Sequence, residues 1–211
     1  MPDGNCGYRV ATSVLFNSEH QWPSVRHTIL NEVRSCPVLY GLEHTGIESP
    51  VRRTNWFETD KFAPQRHWMR SMEDFLYIST GYNAVIHYIN PNPNKSFTML
   101  PLECRVEGVT GPFIRICYFH DEEAAHFIRL DLDDNCPVPP MAYIWFKMKQ
   151  PSVFGWEHSW ASTMQQWENA INQYPQNQLP PAQPWIGPPL ELPDTPPSDL
   201  TWDPRDYISF D

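Results

Sequence analysis

The chain has 211 residues, 41% of them hydrophobic and 14% aromatic, and a formal net charge of −10. That length holds one sizeable domain with a packed core. The acidic balance, with no basic cluster longer than Arg52-Arg53, excludes nucleic-acid binding by phosphate neutralisation, and no apolar run reaches the length of a membrane span. Five cysteines without paired short spacings, and no apolar signal segment, predict reduced thiols and an intracellular chain, cytoplasmic or nuclear.

The first element is a helix over about 7–16, where Val10, Ala11, Val14 and Leu15 fall at helical spacing. A second opens at Trp22-Pro23, with proline where a helix tolerates it best. It carries Val25, Ile29, Leu30 and Val33 on one side and should stop before Pro37. From Glu43 to Gln65 the pattern is polar and irregular, which predicts a long loop around Trp56-Phe57. Ser71-Met72-Glu73-Asp74 then resembles a capping box, opening a short helix through about Thr80 that Gly81 terminates.

After it, Ala84 to Ile89 reads as a buried strand, and Asn-Pro pairs turn the chain into a second, Ser96 to Leu100. Phe113 to Phe119 and His126 to Leu132 flank a short acidic turn of hairpin length. Trp156 to Ile171 is an amphipathic helix. Helices early and hairpin-connected strands late predict an α+β fold, a small central sheet flanked by helices. The folded domain should span residues 1–172. Residues 173–211, with ten prolines and six acidic residues against one arginine from Pro175 onward, should form a disordered tail.

The chemistry gathers at Asp3-Gly4-Asn5-Cys6-Gly7. Glycines close on either side let the backbone turn sharply and approach a substrate. Cys6 leads into a helix, whose unpaired first amides and dipole favour a thiolate, the nucleophilic form. The other cysteines, at 36, 104, 117 and 136, have no such elbow. A thiol nucleophile needs a base, and His126 is the candidate. It opens a strand in which His126, Ile128, Leu130 and Leu132 share one face, at the mouth of a crevice. His120 is the rival, at the start of a solvated turn. A zinc site is rejected, because Glu122 stands where the HExxH pattern ending at His126 requires a histidine.

Asp3-Gly4-Asn5-Cys6 resembles the nucleophile motif of the ovarian tumour (OTU) family of cysteine proteases, mostly deubiquitinases. His67-Trp68-Met69 before a short helix, the strand Ala84 to Ile89, and Ala125-His126-Phe127-Ile128 leading to Cys136-Pro137-Val138-Pro139-Pro140 follow in the family's order. The last stretch is similar to OTU domains associated with mutator-type mobile elements. The resemblance spans nearly all of residues 1–150 and implies a papain-like fold and a thiol isopeptidase that removes ubiquitin or a ubiquitin-like modifier from lysine. It implies Cys6 as nucleophile, His126 as general base and Asp3 as the acidic residue of the loop. The amides around Asn5 and Cys6 would form the oxyanion hole. No cofactor or metal is implied, and the chain should act as a monomer on a ubiquitin-like partner, with Glu73, Asp74, Asp121 or Glu122 available to its arginine-bearing tail.

Two features depart from the family pattern. Ile128 occupies the place where many members carry Asn or Asp to orient the imidazole, and the motif begins at residue 3, where other members carry preceding residues. These imply an alternative, a weak or inactive OTU-like domain of mobile-element origin kept as a binding module.

Overall fold

A computed structural model describes residues 3–42, 46–112, 114–121 and 126–173. The first helix, α1 (Cys6–Leu15), begins at the cysteine itself and buries Tyr8, Val10 and Ala11. The second, α2 (Trp22–Ser35), has proline in its first turn and buries Trp22, Val25, Ile29, Leu30 and Val33, the stripe its sequence shows. A short helix, α3 (Glu48–Thr54), interrupts what reads in sequence as a long loop. Its seven residues carry one aliphatic side chain, Val51, so no apolar period announces it.

The next helix, α4 (Ser71–Tyr82), continues past the expected stop. Asn83, in the left-handed region at φ 48°, ends it. Gly81 lies inside the helix, where a Cβ would sit 2.8 Å from Thr28 Cγ2. The glycine therefore permits close approach to α2 and is not the terminator.

Four strands form one sheet: β1 (Ala84–Ile89), β2 (Phe97–Met99), β3 (Ile114–Asp121) and β4 (His126–Leu130), in the order β2-β1-β3-β4. Two antiparallel pairs, β1 with β2 and β3 with β4, are joined by a parallel pairing of β1 with β3, Ala84 facing Ile114 and Ile89 facing Phe119. The strands are therefore not all hairpin neighbours, since parallel strands need a long connection, here the stretch after β1 that includes β2. β1 is buried on both faces, as a strand apolar at every position but His87 suits. Within it His87 is fully buried, with Nδ1 3.0 Å from Thr98 Oγ1, and burial pushes its pKa down to about 3.

Beyond the sheet come α5 (Tyr143–Met148), which the sequence reading passed over, and a 3-10 turn (Trp156–Trp160) leading into α6 (Ala161–Gln173). The described residues thus form an α+β fold with a small four-stranded sheet flanked by helices. Among them, no helix is long and apolar enough to cross a membrane. The expected acidic turn at 122–125 and nearly all of the expected tail lie outside the described residues.

A polar network is buried between these helices. Asp74 on α4 has no exposure; it accepts from Arg53 Nη2 at 2.7 Å, from the Tyr8 hydroxyl at 3.1 Å and from the Arg70 amide at 3.0 Å. Removing one partner of such a pair strands the other charge in the core. Asp74→Ala is expected to lower unfolding free energy by about 3–5 kcal/mol. Adding Arg53→Met should recover much of that loss; urea denaturation of both variants measures it.

Candidate active site

The nucleophile loop is held on three sides. Gly4 adopts φ +75°, and a Cβ there would meet Trp68 Nε1 at 2.6 Å and the Ala63 carbonyl at 2.7 Å, so only glycine fits. The Ala63 amide donates to the Asp3 carbonyl at 2.9 Å, and Trp68 Nε1 donates to the Ala63 carbonyl at 2.8 Å. Residues 63–68 therefore wall the loop on one flank. On the other, a Cβ on Gly7 would sit 2.5 Å from Met69 Sδ and 3.0 Å from Phe127 Cδ2. The two glycines near Cys6 serve different ends: one permits the turn, the other lets α1 lie against β4.

That second contact brings the cysteine to the edge of the sheet. The Phe127 amide donates to Cys6 Sγ at 3.5 Å across 121 residues of sequence. Phe127 itself is buried, stacked 4.5 Å from the His120 ring and packed on Phe75 and Tyr118. His126, the residue before it, is half-buried and opens β4 opposite Asp121. Among the described residues, no hydrogen bond reaches the His126 ring. His120 is not in a solvated turn; it belongs to β3, and its Nδ1 lies 2.9 Å from the Tyr88 hydroxyl.

Asp3 faces into the loop. Its carboxylate takes Arg9 Nε at 3.1 Å and the Asn5 amide at 3.0 Å, and these bonds hold its pKa low against the opposing effect of burial. The Asn5 amide is therefore engaged in this structure, and the backbone donor placed on the sulfur is the Phe127 amide. The sequence expectation of a resting thiolate is not met. Burial, the largest influence, raises the Cys6 pKa above its ordinary value. The amides of Phe127, Gly7 and Cys6 offset this only in part, and the Asp3 charge adds to it. All five cysteines are free thiols.

Sequence reasoning missed Arg26. It is fully buried beneath the loop, and its five N–H groups reach Asn5 Oδ1 twice, at 3.2 and 2.8 Å, the His67 carbonyl at 2.8 Å, and the Arg53 and Thr54 carbonyls at 3.2 and 3.4 Å. Its guanidinium lies 3.9 Å above the Tyr8 ring. The signal was present: Arg26, Ile29, Leu30 and Val33 share the stripe that α2 buries, and a charge there is rare unless fully partnered. Asp74, offered as a contact for a basic tail, is fully buried and belongs to the polar network; Glu73 is half exposed and paired with Arg53 at 2.7 Å. Glu122 lies outside the described residues.

The sequence matches no protein-family model and no curated protein. Among solved structures, the fold is similar to the viral OTU domain protease from Dera Ghazi Khan virus. Identity is 15%, over 64% of this chain and 78% of that one, with a TM-score of 0.41. It is also similar to the OTUD1 OTU domain, at 14% identity over 62% of this chain and 82% of that one, with a TM-score of 0.39. Neither likeness bears on the chemistry, which rests on the side chains around Cys6.

A thiol raised by burial has a distinct kinetic signature. Alkylation of Cys6 by a neutral haloacetamide, followed on its peptide by mass spectrometry, should keep rising about tenfold per pH unit through pH 7–9. A plateau below pH 8 would mean that the resting group is already a thiolate.

Proposed function

We propose that this chain is a cysteine hydrolase of the OTU type, cleaving the isopeptide bond between ubiquitin or a ubiquitin-like modifier and a lysine. The observation that carries the reading is the 3.5 Å contact of the Phe127 amide with Cys6 Sγ, which sets the cysteine beside the residue following His126. The Asp3-Gly4-Asn5-Cys6 motif and its glycine geometry support the same reading.

The reaction then runs in two halves. Since Cys6 rests as a thiol, His126 takes its proton as the sulfur attacks the carbonyl carbon of the modifier's C-terminal glycine. The carbonyl oxygen becomes an oxyanion facing the Cys6 and Gly7 amides, the donors left open at the start of α1. Collapse of that intermediate breaks the C–N bond, and the imidazolium gives its proton to the departing lysine amine. In the second half the neutral imidazole takes a proton from water, whose oxygen attacks the thioester. The modifier leaves as a carboxylate and the thiol is restored. Asp3, spent on Arg9 and Asn5, shapes the loop.

A ubiquitin-derived electrophilic probe tests the proposal. Wild type should be labelled, while Cys6→Ala should not, and His126→Ala should slow labelling at least 100-fold. Labelling absent from a folded wild type would refute it.

A second reading, a catalytically weak binding module, draws on one observation. Ile128 is 44% exposed on the strand face of His126 and has no group to hydrogen-bond the ring. Ile128→Asn supplies one and is expected to raise the labelling rate roughly fivefold or more by orienting the imidazole. Saturable ubiquitin binding with no labelling of either protein would favour the module.

A further inference from the structure

The residue at the start of α1 does not cap it. Asparagine is among the best N-cap residues because its Oδ1 accepts from the second or third helical N–H, here Gly7 or Tyr8. Asn5 stands at that position and makes no such bond. Its Oδ1 is turned inward onto Arg26 Nε and Nη2, and its Nδ2 donates to the Asp3 carbonyl at 3.3 Å. Arg26 is itself fixed, because its remaining N–H groups are bound to the carbonyls of His67, Arg53 and Thr54. Both side chains are buried. The guanidinium also stacks on the Tyr8 ring, 3.9 Å from its centroid.

We propose that Arg26 is a positioning residue for the Cys6 site: by holding Asn5 Oδ1 in the interior, it keeps the Gly7 amide uncapped and free to serve the sulfur anion and an oxyanion formed beside it. The proposal rests on Cys6 being the nucleophile, as argued above, and not on ubiquitin as the substrate. Asn5 sits at φ −113° and ψ 8°, outside the extended backbone of a capping residue; released from Arg26, it would be able to take up that backbone and turn Oδ1 onto the Gly7 amide. The helix would gain a cap while the site lost that donor. Arg26 therefore gives up a local stabilising bond in exchange for an open amide.

The test uses the full chain and reads Cys6 alkylation by a neutral haloacetamide on the Cys6 peptide. Lysine has no fork to hold Asn5 and the three carbonyls together, so Arg26→Lys should slow the reaction about tenfold and move its pH profile upward. Adding Asn5→Gly, which has no side chain to cap with, should restore the rate to within about threefold of wild type. Were Arg26 merely structural, the second substitution would remove further contacts and leave the double variant as slow as Arg26→Lys or slower; that result overturns the proposal. If Arg26→Lys is too unstable to assay by circular dichroism, Arg26→Gln, alone and with Asn5→Gly, provides the same comparison. Alkylation remains readable even if no ubiquitin probe reacts, so failure of this proposal and failure of the hydrolase reading are distinguishable.

Discussion

A guanidinium sealed in a protein interior must have every N–H answered, and Arg26 answers that demand with segments far apart in sequence. The nucleophile loop supplies Asn5, the end of α3 supplies two carbonyls, and the turn before α4 supplies the His67 carbonyl. Those carbonyls also need partners, because the last ones of α3 have none within their own helix. The arrangement is reciprocal: the helix end needs a donor, the arginine needs acceptors, and the loop is caught between them. Arg53 extends the tie by reaching Asp74 on α4, which accepts the Tyr8 hydroxyl from α1. The shape of residues 3–7 is thus imposed from beneath, and the left-handed Gly4 and the tight Gly7 are what that imposed path requires of the backbone.

The electrostatics of Cys6 follow from the same placement. A helix N-terminus stabilises a nearby anion by about 0.3–1 kcal/mol, with more only in favourable buried geometries. Withdrawing the sulfur into the angle between α1 and β4 costs the anion its water, and here that loss outweighs three backbone donors. The site therefore stores its donors for the moment charge appears and does not hold the charge in advance. A resting thiol also reacts slowly with stray electrophiles and oxidants, which attack the thiolate.

How far the chain could be read depended on whether each signal was local. The stripe of α2, the largely apolar run of β1 and the pairing of β3 with β4 each lie within one short stretch of chain, and each formed close to where its pattern placed it. The parallel pairing of β1 with β3 joins segments with residues 90–113, β2 among them, in between, and no local pattern encodes it. Cys6 was legible because its glycines adjoin it, and His126 because it opens a strand. The partners that hold the loop were not: Arg26 looked like one more charge on a helix, and Asp74 like part of a capping box. That box does not form: Ser71 lies inside the helix and caps nothing, and the Asp74 carboxylate, which accepts the Arg70 amide, is a buried counter-ion to Arg53. A residue serving two structures at once shows only the nearer in its sequence.

The His126 side of the candidate site is less built than the Cys6 side. Asn5, Gly4, Gly7 and Arg26 fix the cysteine through backbone and buried bonds, whereas His126 is placed by its strand and, among the described residues, held by no hydrogen bond to its ring. Asp3 is committed to Arg9 and Asn5, and Ile128 has only methyl and methylene groups to offer. An imidazole placed only by its backbone keeps rotational freedom about two side-chain bonds, and fixing it costs entropy when the proton must move. Under the hydrolase reading proposed above, that cost falls on the chemical step and not on binding.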